Sequence, residues 1–99
     1  MAEHPLKIFE KIDPELFNLV MNTNAFALAD GALPRKFKLL IAMALDASLG
    51  ATRGVRSLAE QAMKAGATQQ EIVETLRVTQ YISGVGSVYT AADAFRELF

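Results

Sequence analysis

An apolar helix that ends at a glycine constrains this chain more than any other feature of its sequence. The segment LLIAMALDASLG (residues 39–50) is hydrophobic on most sides of a helical wheel, and Asp46 is its only charged residue. A helix that is apolar on most sides must be buried among other helices. Gly50 ends the segment, because glycine readily adopts the left-handed conformation that closes a helix. The sequence therefore predicts a central helix, beginning near Pro34, with the rest of the chain packed around it.

Signals for further helices follow one another along the chain, whereas the alternating β-branched runs typical of strands are missing. Asp13 with Pro14 begins a helix that runs to about Asp30, where Gly31 stops it. Side chains that cap later helix starts are predicted at Thr52, at Thr68 with Glu71, and at Ser87, the last of these helices reaching Phe99. The predicted fold class is all-α: a compact bundle of five or six helices that forms a single domain over residues 1–99.

The amount of apolar material is large for a chain of this length. A domain of 99 residues buries only about two-thirds of the surface of its unfolded chain. Yet 52% of the residues are hydrophobic and the mean hydropathy is +0.21. Surplus apolar surface usually lies at a subunit interface, so we expect a homo-oligomer.

Several classes of function are excluded by composition. The chain has no cysteine, which excludes disulfides, thiolate catalysis and cysteine-based redox sites, and we expect no cofactor and no metal site. The N-terminus lacks the pattern of a signal peptide, and the longest apolar run, residues 39–45, is far shorter than the ~20 residues that span a bilayer. A net charge of −1 argues against a nucleic-acid partner. We therefore expect a cytoplasmic protein without a membrane or nucleic-acid partner.

Charge is distributed unevenly along the chain. Residues 34–56 carry five bases and one acid, a net charge of +4, whereas the remainder carries −5. Arg53 and Arg56 lie at a predicted helix start, where the helix dipole disfavours cations by about 0.3–1 kcal/mol. One interpretation is that they bind a small anionic ligand, a carboxylate or phosphate, by bidentate contacts. The other is that they form ion pairs between subunits with acids such as Glu71, Glu74, Asp93 and Glu97.

Asp46 and Tyr81 are the candidates for moving a proton. Asp46 shares one side of the central helix with Lys38 and Ala42, so it is either a solvated or paired acid, or a partly buried carboxylate that acts as acid or base and binds the ligand. Tyr81 precedes a glycine-containing turn, and its ordinary role is that of a buried tyrosine with a satisfied hydroxyl. His4, the only histidine, is expected to be solvated because it lies near a chain end.

The order of features from Gly31 to Leu98 resembles the carboxymuconolactone decarboxylase family and its alkylhydroperoxidase D-like relatives. The matching segments are GALPRKFKLLIAMALDASLGA, AGATQQEIVETL and YISGVGSVYTAADAF. Members of the family typically show a Leu-Pro start, a buried helix that ends in Gly-Cys, and a Gly-Ala-Thr-x-x-Glu-Ile-x-Glu segment. A tyrosine and a glycine-rich turn then precede a final helix. The resemblance implies an alkylhydroperoxidase D-like fold and assembly into trimers or hexamers.

The redox branch of this family carries its chemistry on a Glu-x11-Cys-x2-Cys-x3-His motif, in which a helix start activates the cysteines and the histidine relays protons. That spacing falls here on Leu39, Ala51, Gly54 and Leu58. None of these residues carries an ionisable or nucleophilic group, so the site is degenerate and thiol-dependent peroxide reduction by this route is excluded.

Two functions remain open on the sequence. The first is a non-redox member of the family that binds, or decarboxylates, a small carboxylate or lactone. The decarboxylase branch needs no cysteines, but its usual histidine is replaced by Leu58 in this chain. The second is a catalytically inactive oligomeric scaffold or accessory subunit that keeps the helical fold.

Overall fold

Six helices make up the chain over residues 4–99, the part that the computed structural model describes, and no strand occurs among these residues. The helices are α1 (Ile8–Ile12), α2 (Pro14–Leu28), α3 (Arg35–Ser48), α4 (Thr52–Lys64), α5 (Gln69–Ser83) and α6 (Gly86–Phe95). The prediction of an all-α bundle of five or six helices is therefore confirmed.

Two of the predicted helix caps are present. The Leu16 amide donates a hydrogen bond to the Asp13 carboxylate at 3.1 Å, which fixes the start of α2. At the start of α5, the Glu71 amide donates to the Thr68 hydroxyl at 3.0 Å and the Thr68 amide donates to the Glu71 carboxylate at 2.9 Å. This reciprocal pair satisfies two amides that have no partner inside the helix. It gives α5 a well-defined first turn.

Two other predicted caps are wrong. α4 begins at Thr52 itself, and no side chain caps its first turn. Ser87 lies inside α6, where its hydroxyl donates to the Gly84 carbonyl at 2.8 Å. A capping hydroxyl must come from the non-helical residue just before the helix, and both residues lie beyond that point. The predicted extent of the last helix is also wrong, because α6 ends at Phe95 and a turn follows it.

The core is built around α3, as the apolar pattern predicts. Leu39 and Met43 on α3 are fully buried, and the closest packing is with α4, whose Ala59 and Ala62 leave room for the α3 side chains. α5 contributes Ile72 and α6 contributes two buried alanines to the same cluster. Gly50, with a φ of 76°, closes α3 and lets the chain reverse into α4.

α2 differs from the other long helices because it contains no buried residue. It packs against α1 and along one side of α3. Its apolar side chains stay largely accessible; Phe26 is 86% exposed and Leu19 is 64% exposed. The space that α2 leaves beside α3 and α4 forms a cavity.

Candidate functional site

A cavity of about 800 Å³ lies between α2, α3 and α4. Its polar lining comes from both ends of α3, from α2 and α4, and from the N-terminal segment: His4, Asn24, Arg35, Asp46, Ser57 and Gln61. Apolar side chains, among them Leu28, Leu45 and Leu58, form most of the remaining wall. An apolar cavity with a few polar groups is the usual form of a small-molecule site.

Arg35 brings a positive charge to one end of this cavity. Its backbone amide donates to the Asp30 carboxylate at 2.6 Å, an interaction that anchors the start of α3. The guanidinium makes a single long hydrogen bond, from Nη1 to the Leu28 carbonyl at 3.5 Å. No carboxylate of residues 4–99 forms an ion pair with this guanidinium. Its remaining N–H donors are available to a ligand. Arg35 is one of the five bases counted in residues 34–56, but it was not among the predicted ligand-binding residues.

Asp46 brings a negative charge to the cavity from the other end of α3, where it packs against the first turn of α4. A Cβ atom added at Gly54 would overlap the Asp46 Oδ2 and lie 2.8 Å from its Cγ. The carboxylate therefore covers a helix start that has no cap of its own and that carries two arginines. A negative charge at this position is stabilised by the free amides and by the dipole of α4. Asp46 thus has a structural partner that the sequence did not reveal.

His4 lines the same cavity, although it is an exposed residue as expected. The Leu6 amide donates to its Nδ1 at 3.1 Å, and its ring meets Phe17 edge-on with centroids 6.5 Å apart. Pro5, the next residue, lies both in this cavity and in a neighbouring cleft that Gly54 also lines. The N-terminal segment therefore borders both openings on the side of Gly54, the residue that contacts Asp46.

Arg53 and Arg56 line that neighbouring cleft, of about 770 Å³, and not the cavity that holds Asp46. Arg56 Nη1 lies 2.8 Å from the Glu97 carboxylate, and its Nε lies 3.4 Å from that of Glu60. Both side chains of the arginine pair are exposed. The three residues that the sequence grouped as a ligand site are thus divided between two adjacent openings, and Arg56 already has carboxylate partners in its own chain.

Another ion pair joins the start of α3 to α5. Lys36 Nζ lies 3.0 Å from Glu71 Oε2, and both side chains are partly exposed. The hydrogen bond from the Thr68 backbone amide, together with the nearby Lys36 ammonium, holds the pKa of Glu71 below its ordinary value. Glu71 and Glu97, expected to pair between subunits, therefore pair within the chain.

Tyr81 lies on α5, is 82% exposed and does not line the cavity. The expectation that it is a buried tyrosine is wrong, because the face of α5 that carries it is turned away from α3 and α6.

The four positions of the family's redox motif are occupied in different ways. Leu39 is fully buried in the core, and Ala51 is half-buried in the turn before α4. Gly54 carries the Asp46 carboxylate against its Cα, and Leu58 lines the cavity. None of the four residues carries an ionisable or nucleophilic side chain, and of the four only Leu58 lines the cavity.

Within residues 4–99, no group of three or more histidine, aspartate or glutamate side chains is arranged to hold a metal ion. None of the helices over the same residues is both long enough and apolar enough to cross a bilayer.

The six-helix bundle, with its buried α3 and its sharp turn into α4, has the fold of a known family of helical proteins. The model of the carboxymuconolactone decarboxylase family matches residues 14–97, and the chain belongs to this family. A crystal structure of the apo form of lpg0406, a carboxymuconolactone decarboxylase family protein from Legionella pneumophila, superposes with a TM-score of 0.86. It is 36% identical, over 93% of this chain and 85% of that one.

A curated relative, an uncharacterized protein of Methanocaldococcus jannaschii, is 26% identical over 93 residues, which is 94% of this chain and 87% of the relative. The identification made from the sequence is therefore confirmed at the level of family and fold.

Proposed function

We propose that this protein is a non-redox member of its family that binds a small organic carboxylate or lactone in the cavity between α2, α3 and α4. The observation that carries the proposal is the pair of opposite charges in that cavity. Arg35 and Asp46 both line it, and neither forms an ion pair with another residue of the described chain. Arg35 is exposed and Asp46 is half-buried, and each has hydrogen-bonding capacity that no side chain of the described residues uses and that a ligand of complementary charge would satisfy.

Arg35 is the anion-binding residue in this proposal, rather than Arg53 or Arg56. An anion at the start of α4 would approach the Asp46 carboxylate, which already covers that helix start. Arg56 would also have to leave Glu97 and Glu60. The Arg35 guanidinium makes one long hydrogen bond and lies at the opposite end of the cavity from Asp46. Asp46 is then the group placed to exchange a proton with the ligand, and Tyr81 has no part in the site.

The test is thermal unfolding in the presence of a panel of muconolactone-like acids and simple lactones. A ligand that binds only the folded state raises Tm with its concentration, so at least one member should give a saturable increase. Arg35→Gln should abolish the increase, and the matched variant Arg53→Gln should retain it. The proposal fails if no member of the panel stabilises the protein, or if Arg35→Gln responds like the unmodified chain.

A second function, a non-catalytic scaffold or accessory subunit, is favoured by the absence of reactive side chains at the four motif positions. The glutamate of the redox motif is replaced by a core leucine, and the carboxylate of Asp46 occupies the space beside Gly54. A scaffold needs no turnover. Any reaction with a lactone substrate that exceeds the buffer rate and disappears in Asp46→Asn would rule out this alternative.

We further propose that the chain forms a single-domain, cytoplasmic homo-oligomer, a trimer or hexamer as in the family it belongs to. The proposal is supported by large apolar side chains that stay exposed, including Phe26 at 86% and Ile82 at 77%. Light scattering over a dilution series should give a mass that is a multiple of 10.8 kDa. A monomer at every concentration would contradict this proposal.

A further inference from the structure

The two charges of the cavity lie on one side of α3 but far apart along it. Eleven residues separate Arg35 from Asp46. At 3.6 residues per turn this is almost a whole number of turns, and the rise of 1.5 Å per residue separates the two Cα atoms by about 16 Å. Arg35 reaches towards the Leu28 carbonyl at the end of α2, whereas Asp46 lies against Gly54 at the start of α4. A ligand that contacts both charges must be elongated.

Most of the wall between the two charges is apolar, although Asn24, Ser57 and Gln61 also line the cavity, and the Gln61 amide donates to the Ser57 hydroxyl at 3.0 Å. Ala42 and Leu45 of α3 lie between them in sequence, and Leu28 and Leu58 line the same cavity from the neighbouring helices. These side chains offer no hydrogen bond to the middle of a ligand. Its central part should therefore be a hydrocarbon, which gains free energy from leaving water.

The Asp46 end selects for a hydrogen-bond donor. The carboxylate oxygens accept no hydrogen bond from a side chain or an amide within residues 4–99. A second carboxylate on the ligand would be repelled here, because an ionised aspartate is an acceptor only. A hydroxyl or an ammonium group would be bound.

His4 favours a hydroxyl over an ammonium group at this end. The Leu6 amide occupies its Nδ1 at 3.1 Å, so the proton of the neutral imidazole lies on Nε2, which is a donor. Because His4 and Asp46 line the same cavity, a hydroxyl placed between them would donate to the carboxylate and accept from Nε2–H. An ammonium group has no lone pair for the second bond.

We propose that the cavity takes an elongated monocarboxylate with a hydrocarbon middle and a terminal hydroxyl, bound by Arg35 at the acid end and by Asp46 and His4 at the hydroxyl end. This inference rests on the proposed function, because it assigns the ligand class of the same cavity. It also predicts that dicarboxylates bind poorly, because the Asp46 carboxylate would repel their second carboxylate.

The test compares four eight-carbon probes by calorimetric titration: 8-hydroxyoctanoate, octanoate, 8-aminooctanoate and octanedioate. 8-Hydroxyoctanoate should bind at least about tenfold more tightly than octanoate. Its hydroxyl can donate a hydrogen bond to the charged Asp46 carboxylate, whereas octanoate has no donor at that end. It should also bind more tightly than 8-aminooctanoate, and octanedioate should bind most weakly. Asp46→Asn, which keeps the side-chain shape beside Gly54, should remove the penalty on octanedioate. Asp93→Asn, outside the cavity, should leave the order unchanged.

The outcomes separate this inference from the proposed function. If all four probes bind with similar affinity and Arg35→Gln weakens all of them, the hydroxyl preference is wrong while the carboxylate site stands. Tighter binding of 8-aminooctanoate or octanedioate than of 8-hydroxyoctanoate also overturns the ligand class. If no probe binds, the ligand class is contradicted, and the proposed function is then decided by the panel of muconolactone-like acids and lactones.

Discussion

α2 and α3 are nearly equal in length and are both rich in apolar residues, yet they use them differently. α3 buries four residues in the core, whereas α2 buries none. The difference comes from their neighbours: α3 packs against α4, α5 and α6, while α2 packs only against α1 and one side of α3. Apolar composition therefore does not identify the core of this protein. The number of helices that surround a segment does.

The same difference locates the cavity. Where α3 meets α4, small residues and close contacts fill the space. Where α3 meets α2, the packing is looser and the cavity opens, with charged residues at its ends. A site that must admit a ligand is placed at the less tightly packed boundary of a bundle.

The largest expected effect tests the contrast between the two helices directly. Leu39→Ala removes a fully buried side chain from α3 and should lower the free energy of unfolding by about 2–5 kcal/mol. Leu19→Ala truncates a side chain of α2 that is 64% exposed, and it should change the free energy of unfolding by less than about 0.5 kcal/mol. Urea denaturation followed by circular dichroism, at one protein concentration, measures both. Equal losses would show that Leu19 is buried in the protein in solution, either in the core of the chain or at a subunit interface.

A smaller effect is expected where Asp46 meets Gly54. Helix propensity alone predicts that Gly54→Ala stabilises α4 by up to about 1 kcal/mol. The added methyl group would instead displace the Asp46 carboxylate, so we expect a net loss of about 1–2 kcal/mol.

In the Asp46→Ala background, the same substitution should become neutral or stabilising. A double-mutant cycle by urea denaturation gives the coupling between the two sites. Additive effects would mean that the two residues do not touch.

Two threonines at helix starts give a matched pair with a smaller effect. Thr68→Ala removes the hydroxyl that accepts the Glu71 amide and should cost about 1 kcal/mol of unfolding free energy. Thr52→Ala should have little effect, because that hydroxyl caps nothing at the start of α4. Thermal unfolding of both variants makes the comparison. A loss at Thr52 as large as that at Thr68 would contradict the assigned helix start.

The smallest effect concerns the exposed pair of Lys36 and Glu71, and it depends on pH. The pKa of Glu71 is lower in the folded chain, so the folded state favours its ionised form. Its contribution is therefore present above the ordinary glutamate pKa of about 4.3 and is lost as the pH falls through the lowered folded pKa. Lys36→Met should reduce stability at neutral pH, and the difference from the unmodified chain should shrink in acid. A difference that grows in acid would contradict this assignment.

Much of the fold could be predicted because local signals determine it. The Asp13 cap, the capping box at Thr68 and the glycine at position 50 each act within a few residues, and the structure contains all three. Thr52 and Ser87 misled the prediction because a hydroxyl near a helix start is a cap only when its own backbone lies outside the helix. That distinction depends on backbone angles, which the residue type does not reveal.

The candidate site could be predicted less well from the sequence, because the residues that line it come together only when the helices pack. The register of α3 against α4 brings Asp46 onto Gly54, and nothing in the spacing of the two residues indicates this contact. Arg35 could have been found by its position, since it lies eleven residues before Asp46 on the same helix. His4 could not, because the path of the N-terminal segment across the cavity depends on its contact with Phe17.

The central claim is that ligands enter the cavity between α2, α3 and α4 and not the cleft beside the outer arginines. The most direct test is a titration of the ¹⁵N-labelled protein with octanoate, followed by amide chemical shifts. We predict saturable shifts at residues that line the cavity, in residues 24–28, 42–46 and 57–61. Shifts centred on Arg53, Arg56 and Glu97, or the absence of any saturable shift, would contradict it.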